Sequence, residues 1–154
     1  MPNSASGGRP VLLVGVSHSI CALPLEHVIE TMRPLPLQPV ASAPFYVCGA
    51  SIVRGIPTPV VDLGIVLGKA GGAIGRFVAL RLGDKQVVVS VEAVLGVQRL
   101  DESKIENLPP LLQEAANETI ESIGTLDRRM LFVLRASWML PDNVWQTLAN
   151  GENS

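Results

Sequence analysis

Charge and aromatic rings are both scarce in this 154-residue chain: charged residues make up 17% of it and aromatic ones 4%. Sparse charge over a 47% hydrophobic composition excludes disorder across most of the length. With so few rings, a core has to be built from Val, Leu, Ile and Ala, and β-branched valines favour strands. A formal net charge of −2 leaves no electrostatic footprint for nucleic acid, and no basic run marks a membrane surface. Cys21 and Cys48 are too few for a disulfide framework, and their mostly apolar neighbours point to buried thiols. His18 and His27, the only histidines, add no metal-ligand spacing. No stretch offers the ~20 helix-compatible apolar residues of a membrane span. The VLLVGV run after Arg9 breaks at Ser17-His18-Ser19, too soon for a signal peptide. A cytoplasmic protein of one domain, or of two small lobes sharing a core, is expected.

What the chain does have is an uncharged, proline-rich centre. Between Pro34 and Val53 there is no charge, yet Pro34, Pro36, Pro39 and Pro44 all fall there. No helix runs through that spacing, because each proline removes a backbone donor and clashes with the preceding turn. The segment is therefore extended and wrapped, and it ends in Val53-Arg54-Gly55.

Around this centre, strands are expected at Val11–Val16 and Ile20–Leu23, joined by the Ser17-His18-Ser19 turn. A helical turn follows at Leu25–Val28, then strands at Ile29–Met32, Tyr46–Val53 and Ile56–Leu63, with Gly55 in a turn. The GKAGGAIG stretch at Gly68–Gly75 reads as a connector. The design then repeats: a hairpin of Phe77–Leu82 and Gln86–Val91, a helical turn at Glu92–Val94, and a strand at Leu95–Arg99. Asp101–Glu118 reads as a polar loop, Ile120–Leu126 and Met130–Leu134 as a strand pair, and Asp142 caps a short final helix to Ala149. LEHVI at Leu25–Ile29 matches VEAVL at Val91–Leu95, 66 residues on. VVDLGIVL at Val60–Leu67 matches VLRASWML at Val133–Leu140, 73 residues on. Two pseudo-equivalent small barrels account for this order, since closure removes exposed sheet edges.

A search for chemistry comes back empty. His18 and Cys21 lie three apart, and on strand geometry they face opposite ways. Cys21 as the nucleophile of a hydrolase is thus disfavoured, and no metal set is present. Glu26 and Glu30 lie four apart, but the strand start between them spoils a shared helical face. Asp62, inside an apolar strand, is read as a strand-end residue with a backbone or arginine partner. Gly71, Gly72 and Gly75 miss both phosphate-binding glycine patterns. No catalytic residue, cofactor or metal is assigned.

The runs LPLEHVIETMRPLPLQPV, APFYVCGASIVRGIPTPVVDL, VVVSVEAVLGVQRLD and IGTLDRRMLFVL, in that order, resemble the CheW-like domain of bacterial chemosensory systems. The resemblance covers about Val11 to Leu140, and V-R-G followed by P-V-V-D-L is its most specific part. It implies a mainly all-β fold of two five-stranded SH3-like β-barrels around a shared core, with short helical turns and a short C-terminal helix. The corresponding organisation is a disordered N-terminus at 1–10, interlocked lobes at 11–141 with the connector near 68–76, and a helix and tail at 142–154.

Stand-alone members of that family are non-catalytic adaptors. They link the cytoplasmic tip of a methyl-accepting chemoreceptor to the regulatory domain of the histidine kinase CheA, which implies a cytoplasmic protein recruited to membrane-associated receptor arrays, without inserting into the bilayer. Carried over by motif position, Val28, Glu30, Gly49 and Arg54 are the receptor-binding residues. Apolar walls suit a helical tip, and rim charges fix its register. Leu37 and Val40 on the proline segment are the kinase-binding candidates. Glu30 and Arg54, being of opposite sign, are positioned to pair, or Arg54 instead braces the turn at Gly55. One departure stands out: Ile52-Val53 occupy the place where family members commonly carry Asn-Leu. That leaves room for a pathway other than flagellar swimming. A small-molecule sensor with an apolar cleft between the lobes is the alternative from another class.

Overall fold

The computed structural model describes residues 8–68 and 74–100 in full, together with the backbone of strands at 105–107, 120–126 and 129–134. Alternating and near-continuous apolar runs set the strands, and polar or glycine pairs set the turns. In chain order the elements are β1 (Arg9–Val16), β2 (Ser19–Pro24), a 3-10 turn (Leu25–His27), β3 (Val28–Met32), β4 (Val47–Val53), β5 (Ile56–Asp62) and the short α1 (Leu63–Val66). After the connector come β6 (Arg76–Leu82), β7 (Lys85–Val91), β8 (Ala93–Leu100), β9 (Ile105–Asn107), β10 (Ile120–Leu126) and β11 (Arg129–Leu134). The first strand starts at Arg9, because Arg9 and Pro10 pair with Leu100 and Arg99. Most of the connector, the 101–104 and 108–119 parts of the polar loop, and the C-terminal helix expected at Asp142–Ala149 lie outside the described residues.

The strands form two sheets, ordered β8-β1-β2-β11-β10-β9 and β3-β6-β7-β5-β4. Each sheet is a mixture of the two halves of the chain. The first-half hairpin β1–β2 sits among second-half strands, and the second-half hairpin β6–β7 sits among first-half strands. The internal repeat survives at residue level. Val60 pairs in parallel with Val88 in one sheet, and their counterparts Val133 and Ala22 pair in parallel in the other. Even the bulges match: β3 skips Ile29 between its pairs Val28↔Leu80 and Glu30↔Ala79, and β8 skips Leu95 between Val94↔Val14 and Gly96↔Leu13. The sixth strand of the first sheet, β9, pairs Glu106 with Ile123, and its counterpart in the second sheet is a single bridge of Gln38 with Ala50.

Both central hairpins are buried on both faces, which is why they read as unbroken apolar runs in the sequence. Leu12, Val14, Val16, Cys21 and Leu23 of the first sheet meet Val61, Val78, Leu80, Val87, Val89 and Val91 of the second in a shared core. Val11, Leu13, Ile20, Ala22 and Leu100 form a separate cluster on the first sheet's other face. Val53, Val60, Phe77, Ala79 and Val88 do the same for the second. The helical turn expected at Glu92–Val94 is instead a single bend at Glu92. The Glu92 carboxylate accepts the Ser17 N–H at 2.6 Å, and the Glu92 N–H donates to Gly15 O at 3.0 Å. That tie between the β1–β2 turn and the β7–β8 crossover holds the bend extended and lets β8 start at Ala93.

Candidate functional site: a charged clasp beside the shared core

The site is built around the β4–β5 turn. Its two central residues, Arg54 and Gly55, both have positive φ, 51° and 82°. Two such residues make the primed hairpin turn whose twist suits the flanking strands. Glycine occupies that conformation freely; arginine pays roughly 1–3 kcal/mol for it. The strain is held by a bidentate bond, Arg54 Nε to Glu30 Oε2 at 2.7 Å and Nη2 to Oε1 at 3.0 Å. Glu30 lies on β3 and Arg54 follows β4, the two opposite edges of one five-stranded sheet. On a flat sheet those edges would stand about 19 Å apart, so the clasp marks a sheet rolled until its edges meet.

The two partners are unequally exposed. Arg54 is 76% exposed and Glu30 only 27%, and both Glu30 oxygens are engaged. The outer face of the pair is therefore cationic. Hydrogen bonding from Arg54 holds the Glu30 carboxyl below the usual carboxylate range, and the same bond raises the guanidinium further.

Val28 begins β3 and is half-buried against the shared core, as is its counterpart Val94 on β8. These two valines bring β3 and β8 to the same apolar seam between the sheets. Gly49 does something different from the other three residues assigned with it. It is buried, has φ 150°, and a Cβ placed there would lie 2.6 Å from the Gln38 carbonyl oxygen. Its role in the fold is to let the proline segment approach β4.

That segment is pinned along its length. Ser51 Oγ donates to Pro36 O at 2.8 Å, while Gln38 and Ala50 exchange both backbone bonds at 2.8 Å. Pairing cannot extend toward Pro36, which has no N–H to offer. Leu37 is exposed and Val40 half-buried, so the two kinase-contact candidates sit on a fixed backbone. The composition-based reading missed several apolar side chains left in water: Ile29, Ile52 and Ile56 near the clasp, Phe45 on the proline segment, and Leu95 and Val97 on β8. Alternation along β4 was the available signal, since Val53 in the core puts Ile52 outside.

Cys21 is fully buried, and burial pushes its thiol far above the ordinary range, so no thiolate is available for attack. Burial, with help from Asp62, also raises Cys48, whose Sγ donates to Val60 O at 3.3 Å. Asp62 ends its strand and caps α1 by accepting the Ile65 N–H at 3.2 Å. Among the described residues no group of three His, Cys, Asp or Glu is placed to hold a metal. None of their helices is long and apolar enough to cross a membrane. A cleft lined by Val16, Asp62, Gly64, Ser90, Val91 and Glu92 has room for about one water.

Fold and surface together define a mainly β protein: two sheets knitted through a common core, with an exposed ion pair at a rolled edge. The CheW-like domain model matches residues 10–143, and the chain belongs to that family. Chemotaxis protein CheW of Bacillus subtilis is 31% identical over 98 residues, covering 62% of this chain and 63% of the relative. Its namesake from Klebsiella aerogenes is 26% identical over 98 residues, covering 62% and 59%. The chain thus matches about three fifths of the length of these two relatives. Chemotaxis protein CheW of Helicobacter pylori is 24% identical over 122 residues, covering 77% and 73%. Among solved structures, the scaffolding protein TtCheW from Thermoanaerobacter tengcongensis superposes with a TM-score of 0.71 at 21% identity. That match covers 83% of this chain and 89% of the other, and shows the same two-lobed β fold.

Proposed function

We propose that this chain is a non-catalytic adaptor of a chemosensory array, working in the cytoplasm. It joins the cytoplasmic tip of a methyl-accepting chemoreceptor to the regulatory domain of the histidine kinase CheA. The observation that carries the reading is the strained Arg54 turn locked to Glu30 beside the Val28 seam. Backbone strain at an exposed position persists where a site requires that geometry, and an exposed arginine flanked by apolar side chains is a common interface anchor. Val28, Glu30 and Arg54 contact the receptor tip directly, and Gly49 shapes the surface by holding the proline segment. Leu37 and Val40 face the kinase. The buried Cys21 thiol speaks against the cysteine-hydrolase reading.

The test is paired pull-down with a receptor tip fragment and a CheA regulatory domain from the same genome. Arg54→Glu sets two carboxylates against each other and is expected to abolish receptor capture while kinase capture remains; Leu37→Asp is expected to do the reverse. Undiminished receptor capture by an Arg54→Glu protein with wild-type melting would sink the receptor assignment.

A further inference from the structure

Ser51 is a polar side chain in an apolar place. It stands between Gly49 and Val53 on the buried face of β4, is 1% exposed, and its neighbour Val53 belongs to the cluster with Val60, Phe77, Ala79 and Val88. A hydroxyl buried there is unfavourable unless bonded, and this one donates to Pro36 O at 2.8 Å. In a continued antiparallel ladder the rung after Gln38–Ala50 would join Pro36 to Ile52. Proline brings no N–H to such a rung, and the Ser51 hydroxyl takes over its carbonyl instead. Leu37 lies between two ties, Ser51 on Pro36 O and Ala50 on both backbone groups of Gln38, all at 2.8 Å. Its Cβ stands over Gly49, 3.5 Å from where a Cβ on that glycine would lie. Leu35, on the other side of Pro36, packs against the Val53 cluster. The exposed Leu37 side chain is therefore carried on a backbone fixed on both sides.

We infer that Ser51 is a positioning residue for kinase docking. It touches no partner; its hydroxyl holds Leu37 in the conformation that the kinase regulatory domain binds. A partner meeting an anchor that is already ordered loses no free energy in ordering it. The inference rests on the kinase reading of Leu37 and Val40 and adds to it what fixes their geometry.

The experiment measures affinities of the full chain for two probes from the same genome, the CheA regulatory domain and a chemoreceptor hairpin tip. Wild type, Ser51→Ala, Leu37→Ala and the double variant are compared. Ser51→Ala is expected to bind the kinase domain roughly 3- to 10-fold more weakly. Its receptor affinity should stay at the wild-type value, because Glu30 and Arg54 are bonded to each other and Val28 lies against the shared core. Amide exchange at Gln38 should quicken in the same variant. In the Leu37→Ala background the effect of Ser51→Ala on kinase affinity should vanish, whereas a merely structural loss would add in full. Three results overturn the positioning role and leave the kinase reading standing: wild-type kinase affinity in Ser51→Ala, an equal loss toward both probes, or an effect undiminished by Leu37→Ala. Wild-type kinase affinity in Leu37→Ala, or no kinase binding by the wild-type chain, overturns the kinase reading and the inference with it.

Discussion

Replacing Gly49 by alanine isolates the close approach between β4 and the proline segment. The new Cβ would sit 2.6 Å from the Gln38 carbonyl oxygen, against about 3.5 Å for an ordinary contact. The carbonyl must retreat by about 0.9 Å, which stretches the two Gln38–Ala50 backbone bonds beyond useful length. Each of those bonds, now 2.8 Å, is worth about 1 kcal/mol net. Positive φ, 150° here, adds strain on the order of 1–3 kcal/mol for any residue with a Cβ. The sum is about 3–5 kcal/mol, or a melting point lower by roughly 10 °C in a chain of this size. Thermal unfolding followed by circular dichroism reads it directly. Gly55→Ala is the internal control: φ is positive, 82°, but no atom lies within 4 Å of its Cβ, so only the backbone strain is expected. Gly49→Ala melting within about 1 °C of wild type would refute the close-approach argument and return Gly49 to a direct partner contact.

Three further outcomes are expected. Glu30 has its pKa lowered in the folded state by Arg54, so its contribution is present above the unfolded-state pKa and lost as pH falls through the depressed folded value. Melting curves of wild type and Glu30→Gln should therefore differ at neutral pH and converge as pH falls below the ordinary glutamate value of about 4.3; a constant gap would contradict the pairing. Ser17 holds φ 56° while its N–H bonds Glu92. Ser17→Gly relieves the strain and keeps the bond, so a gain of about 0.5–1 kcal/mol is expected in denaturant titration. The Cys21 thiol should resist labelling in the native state and react only on unfolding; rapid native labelling at Cys21, mapped by mass spectrometry, would contradict its burial.

Much of the local structure was legible because period-two patterns and turn residues act over short distances. The runs Val11–Val16 and Gln86–Val91 were readable as strands, and Arg54-Gly55 as the end of one. The family resemblance placed Glu30 and Arg54 at one site, and their opposite charge made the pair an expectation. The internal offsets of 66 and 73 residues relate the parallel pairs of the two sheets: Ala22–Val133 maps onto Val88–Val60. What local pattern does not carry is which hairpin inserts into which sheet, since that depends on contacts between residues far apart in the chain. Glu92 shows the same limit: its sequence neighbours favour a helical turn, and a distant N–H at Ser17 overrides them. A motif glycine such as Gly49 looks alike whether it touches a partner or admits a neighbouring backbone. The position of Gln38 shows that Gly49 admits a neighbouring backbone.

The exchange of hairpins between the sheets has a mechanical corollary. No cut through the connector at 69–73 can release two self-sufficient pieces, because each would leave its own sheet without the middle strands. A pull exerted on the second sheet is therefore resisted by backbone bonds along β3–β6 and β5–β7, each pairing a strand before the connector with one after it. The load crosses the second sheet through rungs of amides instead of a hinge.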